Sequence, residues 1–191
     1  MEKVKDTDHP VVIHMCTVKG KGYPPAELER ENWHYMRPFD IDTGKSKSKT
    51  APVETYEALT AIYLASEMRK DPTITAVTAG TSKVLGFEEE LRKQFPKQFV
   101  DVGIVEEHAV AMISGIAKAG GKPIFGVSSS FLQRIYDQLS SDLALNHSPA
   151  VILVFFAGIA EGSQTHMGSF DIPIAILQNM KLWSMAQQWL F

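Results

Sequence analysis

Three segments of the sequence carry ionisable or polar residues at the point where a predicted strand leads into a helix or a loop. The first is Asp101–Val110 (DVGIVEEHAV), in which Glu106, Glu107 and His108 stand at the junction. Carboxyl and imidazole groups hold and transfer protons, so this segment could supply general acid–base chemistry. A structural interpretation stays open, because acidic residues in the first turn of a helix also stabilise it through the helix dipole.

The two other segments lie further along the chain. Ser128–Arg134 (SSSFLQR) combines three hydroxyl groups with a guanidinium, and Gly158–Gly168 (GIAEGSQTHMG) is a glycine-rich loop that contains His166. These groups could bind a polar or anionic ligand. The pattern alone also fits a cluster of helix-capping serines and a histidine with a structural role.

The elements that position these segments alternate between strand and helix patterns. Strands are predicted at Ile74–Thr78, Phe99–Ile104, Pro123–Val127 and Val151–Phe156, the last with the continuous apolar pattern of a strand buried on both faces. Helical periodicity is found at 56–63, 87–95 and 110–117, and one longer helix is predicted from the apolar stripe Phe131, Ile135, Leu139 and Leu143. This alternation predicts an α/β fold with a mainly parallel sheet and helices on both faces. Ligands bind beyond the carboxyl ends of such strands, where the three segments lie.

Composition narrows the class of protein. The 191 residues carry a formal net charge of −3, which argues against a nucleic-acid partner, since such proteins present a basic stripe. The single cysteine, Cys16, excludes an intrachain disulfide and a multi-cysteine metal site. No apolar run is long enough to span a bilayer, and the N-terminus has no signal-peptide pattern. We therefore expect a cytoplasmic protein with no membrane partner.

The quoted segments resemble the 1-deoxy-D-xylulose-5-phosphate synthase family, which belongs to the transketolase superfamily. DVGIVEEHAV, SSSFLQRIYDQ and THMGSFD carry the resemblance, together with VKGKGYPPAE and WHYMRPFDIDTGK upstream, in collinear order. The resemblance implies that residues 1–50 are the final strand, exit loop and linker of a pyrophosphate-binding domain. It implies that residues 51–191 are a thiamine-diphosphate-binding domain of the pyrimidine type, truncated at its C-terminus.

The resemblance also implies an activity. The family transfers a two-carbon unit from pyruvate, with loss of carbon dioxide, to the aldehyde phosphate glyceraldehyde 3-phosphate. The product, 1-deoxy-D-xylulose 5-phosphate, serves isoprenoid and thiamine biosynthesis. The implied cofactors are thiamine diphosphate and Mg²⁺, whose ligands would lie outside this chain, and the implied assembly is a homodimer.

Individual site residues follow from matching the family's motifs. Glu106 matches the catalytic glutamate, which shares a proton with the aminopyrimidine ring of the cofactor. Phe131 matches the aromatic residue that stacks on this ring, although a residue on an apolar stripe is a core residue by default. Tyr23 matches a position that contacts the cofactor.

The substrate end of the site is assigned in the same way. His34 and His166 match histidines with catalytic proton-transfer roles, and His166 also contacts substrate. Arg134 matches an arginine near the active site and is expected to bind substrate. The pair Trp33-His34 could instead pack a tail onto the domain.

The sequence departs from the family pattern at four places. Phe156 replaces an arginine that grips the aldehyde's phosphate, and the EGSQTH loop is one residue shorter, with Ser163 in place of an aspartate. Ser128 replaces a tyrosine, and Glu107 replaces a glutamine. An aromatic side chain cannot pair with phosphate, so the site for the acceptor phosphate is expected to be eroded while the pyrimidine site is retained.

Two other functions stay open. The chain could be a non-catalytic remnant or assembly subunit, or it could be the pyrimidine-binding half of a split transketolase that needs a partner chain. We also expect self-association, because Val110, Ile113 and Ile116 would give the helix after Glu106 an apolar face that a truncated sheet leaves exposed.

Overall fold

The structure is a computed structural model that describes residues 2–34, 36–47 and 54–158, together with residue 173 on its own. The chain divides into two compact units, Met1–Val53 and Glu54–Phe191. Each unit is described by itself below.

The first unit is held together by short helical turns and an aromatic cluster. Helix α1 is Pro24–Leu28, and Pro24 at its first position has the backbone angle that a helix requires. The rings of Tyr23 and Trp33 meet edge to face with their centroids 5.0 Å apart, and Trp33 meets Phe39 in the same way at 4.8 Å. Residues 10–18 have no regular secondary structure, and Val12 is 95% exposed.

Among the described residues of the second unit, the sheet has four parallel strands: β1 (Ile74–Thr78), β2 (Phe99–Asp101), β3 (Lys122–Ser128) and β4 (Val151–Phe155). Their order across the sheet is β2-β1-β3-β4. The prediction of a parallel α/β fold is therefore confirmed.

Helices cover both faces of this sheet, and each face has its own apolar core. Helices α2 (Tyr56–Lys70) and α3 (Glu89–Gln94) lie on the face whose core includes Met68, Leu85 and Phe87. Helix α4 (Glu106–Lys118) and a helical segment at 129–144 lie on the other face. Alternate residues of each strand supply the two cores because side chains point to opposite sides of a sheet.

Successive strands are added to one side of β1 and then to its other side, so the strand order changes direction between β1 and β3, at a point we call the chain reversal. The connection from β1 leads outward to β2, and the next connection, through α4, crosses back to β3 on the far side of β1. In open α/β sheets, ligands bind at this point of reversal, beyond the carboxyl ends of the strands. The loops after β1, β2 and β3 are therefore the elements that build a candidate site.

Three predictions about elements need correction. Strand β2 ends at Asp101 rather than at Ile104, because the Asp101 side chain binds the backbone of the following turn. The predicted long helix at 131–143 is a 3₁₀ helix, one α-helical turn and a π-helical turn in succession, since an apolar stripe defines a buried face but not the hydrogen-bond pattern. Strand β4 is only partly buried along most of its length, because it lies at the edge of the sheet within the described residues.

The expected exposed face of α4 is also not observed. Val110 and Ile113 are fully buried in the core between α4 and the sheet, and Ile116 packs against the same core. Large exposed apolar side chains are instead found on α2, where Ile62 is 69% and Tyr63 is 65% exposed.

The amino end of the sheet is fastened by an ion pair. The ammonium of Lys122, in β3, donates to Oδ2 of Asp71 over 2.7 Å, and Asp71 also accepts from the hydroxyl and the backbone N–H of Thr73. The Lys122 ammonium, followed by the two Thr73 donors, lowers the pKa of Asp71 to about 2. This carboxylate ties the turn before β1 to the neighbouring strand.

Among the described residues, no helix is long and apolar enough to cross a membrane.

Candidate active site

The carboxyl ends of β1 and β2 are joined by the side chain of Asp101, the last residue of β2. Its Oδ1 accepts the backbone N–H of Gly80 at 2.9 Å and that of Gly103 at 2.8 Å. Its Oδ2 accepts the hydroxyl of the buried Thr78 at 3.1 Å. These hydrogen bonds therefore attach the start of the loop from β2 to α4 to the end of β1 and the turn that follows it.

Glu106, the first residue of α4, is the buried acidic residue at this edge of the sheet. It is only 2% exposed, whereas Glu107 is half-buried and His108 is exposed. The difference arises because successive residues at a helix start are rotated by about 100°. Of the three ionisable residues at the junction, only Glu106 thus lies inside the domain.

Arg134 lies against this carboxyl group. Its Nη1 is 3.0 Å from Oε2 of Glu106, and its Nε is 3.8 Å from Oε1 of Glu107. Arg134 belongs to the 3₁₀ helix Ser129–Ile135, which begins where β3 ends. The structure thus brings together two of the predicted site residues, from the connections that follow neighbouring strands.

Two buried oxygen atoms at this edge lack a hydrogen-bond partner among the described residues: Oε2 of Glu106 and Oγ of Ser130. The Arg134 guanidinium is close to the first but is not aligned to donate to it. A buried polar atom without a partner destabilises the fold, and a ligand that donates a hydrogen bond offsets the cost. Ser130 was not singled out individually from the sequence, because a serine cluster after a strand fits helix capping equally well.

Phe131 follows Ser130 in the same 3₁₀ helix and is half-buried. Part of its ring packs against the core between α4 and the sheet. The remaining exposure leaves room for a contact with a flat ligand.

Comparison with known proteins identifies the family. The family model "Transketolase, pyrimidine binding domain" matches residues 52–187. The chain belongs to this family. The match spans the whole second unit except its last few residues and confirms the fold predicted from the sequence.

Curated relatives of this chain include several 1-deoxy-D-xylulose-5-phosphate synthases. The protein of Rhodobacter capsulatus is 41% identical over 181 residues, which cover 94% of this chain and 28% of the relative. The protein of Clostridium acetobutylicum is 39% identical, with 95% of this chain and 29% of the relative covered. That of Thermosynechococcus vestitus is 40% identical, with 91% and 27% covered. The chain thus spans less than a third of the length of these relatives.

One departure from the family pattern has a structural counterpart. Phe156, directly after β4, has a backbone φ of 56°, in a region that residues other than glycine rarely adopt. Its ring packs against the core formed by α2 and α3. Phe156 is therefore an apolar side chain used in packing, and its match to the family's phosphate-gripping arginine stays a prediction. His166 and Ser163 lie outside the described residues.

The remaining predicted residues belong to the first unit. The hydroxyl of Tyr23 donates to the backbone carbonyl of Ile41 at 2.9 Å, and its ring lies in the aromatic cluster. His34 is exposed, and its Nδ1 contacts the ammonium of Lys19. Their assignment to the cofactor and substrate stays a prediction.

Within residues 2–34, 36–47 and 54–158, no group of three or more His, Cys, Asp or Glu side chains could hold a metal ion. That the Mg²⁺ ligands lie elsewhere stays a prediction.

Proposed function

We propose that this chain is the pyrimidine-binding part of a thiamine-diphosphate-dependent transferase of the 1-deoxy-D-xylulose-5-phosphate synthase type. The reaction joins two carbons of pyruvate to glyceraldehyde 3-phosphate, with loss of carbon dioxide, to give 1-deoxy-D-xylulose 5-phosphate. Because the chain spans less than a third of the relatives' length, the activity is proposed for the whole polypeptide that contains it.

The single observation that carries the proposal is the buried carboxyl group of Glu106. It lies at the chain reversal, 2% exposed, with Oε2 lacking an aligned donor among the described residues. A heterocycle with a ring nitrogen that carries a proton would complete this hydrogen bond. The residues present therefore fit an aminopyrimidine, and we assign the half-buried ring of Phe131 as the flat surface on which it stacks.

Each residue has a defined task in this proposal. Glu106 shares a proton with the pyrimidine nitrogen through Oε2. Phe131 stacks on the ring, and Tyr23 contacts the cofactor. The chemistry that thiamine diphosphate supplies when bound is a carbon nucleophile and an electron sink. The diphosphate and Mg²⁺ are assigned to the part of the polypeptide outside this chain.

The roles of residues at the substrate end of the site are proposed from the motif matches. Arg134, whose side chain is 40% exposed, provides a cation for pyruvate or the acceptor, and His34 and His166 exchange protons with substrate. A guanidinium suits this role because it binds carboxylates and phosphates through two parallel hydrogen bonds.

A second candidate function is favoured by Phe156. A side chain that packs into the core cannot hold a phosphate, so the acceptor could differ from the family's, or the chain could serve as a non-catalytic assembly subunit. The pyrimidine-binding half of a split transketolase is the third arrangement. For the synthase-type transferase we propose a homodimer located in the cytoplasm.

The proposal is tested by turnover of the full-length polypeptide with pyruvate and glyceraldehyde 3-phosphate. Glu106→Gln keeps the size of the side chain but cannot share the proton, so turnover should fall by at least about 10²–10⁴-fold, the usual value of acid–base assistance. Glu107→Gln is the matched control, because this neighbour is half-exposed, and its turnover should stay close to wild type. An equal loss in both variants, or no loss in Glu106→Gln, contradicts the proposal.

A further inference from the structure

We infer that Asp101 is a positioning residue, which fixes the loop at 102–105 and thereby the carboxyl group of Glu106. This inference rests on the proposed function for the role of Glu106. It assigns to Asp101 no contact with substrate or cofactor.

The carboxylate of Asp101 accepts hydrogen bonds from two backbone N–H groups and one side-chain hydroxyl. Through Oδ1 it accepts the N–H of Gly80, in the turn after β1, and the N–H of Gly103, in its own loop. Through Oδ2 it accepts the hydroxyl of Thr78, the last residue of β1, which is fully buried. Hydrogen bonds to an ionised acceptor are roughly twice as strong as those between neutral groups. The loop is therefore anchored to the central strand of the chain reversal.

At the start of the loop, the N–H of Val102 donates to the carbonyl of Thr78 at 3.0 Å and the Val102 side chain packs against the core, but the residues that follow have little else to hold them. Ile104 is 72% exposed and Val105 is 43% exposed, so burial of apolar surface contributes little to the position of these two residues. Gly103 has a φ of +78°. A glycine adopts this angle without strain, but it adopts negative φ angles as readily, so the residue itself does not fix the turn. Gly80 permits the close approach, since a Cβ atom there would lie 2.9 Å from Cγ1 of Ile104. Hydrogen bonds to Asp101, rather than burial of apolar side chains, therefore hold this part of the loop in place.

The anchor is connected to Glu106 through the backbone. The N–H of Val105 donates to the carbonyl of Gly103 at 2.8 Å, and the carbonyl of Val105 accepts the N–H of Ala109 at 3.1 Å, which starts α4. A shift of Gly103 is therefore passed on to the first turn of the helix. A misplacement of about 1 Å in a catalytic group can cost about 10²-fold in rate.

Two variants of Asp101 separate positioning from general damage. Asp101→Asn keeps an oxygen that accepts both backbone N–H groups, and its amide nitrogen can donate to the Thr78 hydroxyl. Asp101→Ala removes all three hydrogen bonds. The matched control is Asp71→Ala, which removes a carboxylate with three donors at the opposite end of the sheet.

The experiment measures kcat, KM for pyruvate, and hydrogen–deuterium exchange of peptides covering 102–105 in the full-length polypeptide. In Asp101→Ala, kcat should fall about 10²-fold with KM nearly unchanged. Exchange in the loop should become about tenfold faster, as expected for lost hydrogen bonds to a charged group. Asp101→Asn should restore kcat and slow exchange, and Asp71→Ala should lower the urea midpoint without changing kcat or loop exchange.

Faster loop exchange with wild-type kcat in Asp101→Ala would overturn the inference, because the loop would then not position the catalytic group. An equal loss of kcat in Asp71→Ala would also overturn it, since general destabilisation would account for both. The exchange measurement is independent of the reaction. Retained turnover in Glu106→Gln would instead refute the proposed function, while the exchange result would still report whether Asp101 holds the loop.

Discussion

Arg134 Nη1 lies 3.0 Å from Glu106 Oε2, and this contact joins the two connections that follow β2 and β3. The two partners differ sharply in environment, since the Arg134 side chain is 40% exposed and that of Glu106 only 2%. The guanidinium is thus the more solvent-accessible partner, and the carboxyl group is enclosed by the domain. A ligand that binds at Glu106 Oε2 must replace or share this contact.

The first prediction concerns the energetic weight of this pair. Arg134→Leu removes the cation beside a buried carboxyl group and should lower the free energy of unfolding by about 1–3 kcal/mol, because that group then lies buried without a counter-charge. Urea denaturation of the 191-residue chain measures the change. In the Glu106→Gln background the same substitution should cost less, because the carboxylate partner is gone. Equal costs in the two backgrounds would show that the contact carries no coupling energy.

The second prediction concerns self-association. The chain should associate at concentrations of about tens of micromolar, since exposed apolar surface marks interfaces. The exposed apolar side chains of α2 are the candidates, because those of α4 are buried. Sedimentation velocity should show Ile62→Glu shifted toward monomer. Leu145→Glu, which changes a 77% exposed leucine outside α2, should behave as wild type. A wild-type chain that is monomeric at these concentrations would contradict the prediction.

The third prediction concerns acid stability. The pKa of Asp71 in the folded state is about 2, below its ordinary value of 3.8, chiefly because of the Lys122 ammonium. A lowered folded-state pKa stabilises the fold above the unfolded pKa, and this contribution disappears as the pH falls through about 2. The stability difference between wild type and Asp71→Asn should therefore shrink between about pH 4 and pH 2.

Urea midpoints measured across this pH range check the prediction for Asp71. Asp137→Asn, at an exposed aspartate, is the control and should show a small difference that does not follow this window. A difference for Asp71→Asn that is constant with pH would mean that the ion pair with Lys122 does not persist in solution.

Local patterns predicted the elements well where burial decides them. Ile74–Thr78 is a strand with the predicted bounds, because its run of apolar and β-branched residues follows a turn and fills the centre of the sheet. Strand β2 was predicted too long, since the hydrogen bonds of the Asp101 side chain end it before the apolar residues Val102 and Ile104. A polar side chain that binds its own turn leaves no trace in the hydrophobic pattern.

The candidate site was predicted in part. The position of Glu106 at the start of a helix after a strand follows from periodicity alone, and the structure shows that it is buried. Its contact with Arg134 is tertiary, and sequence spacing cannot reveal which of several polar residues at one sheet edge will meet. The orphaned hydroxyl of Ser130 is likewise visible only once its surroundings are known.

The central claim is that Glu106 exchanges a proton with the pyrimidine ring of thiamine diphosphate. The most direct measurement is the exchange rate of the C2 proton of thiamine diphosphate bound to the full-length polypeptide, followed by quenched-flow NMR. Glu106→Gln should slow this exchange by at least about 10²-fold, while Glu107→Gln should leave it near the wild-type rate. Equal slowing in both variants, or slowing in Glu107→Gln alone, would contradict the assignment of Glu106.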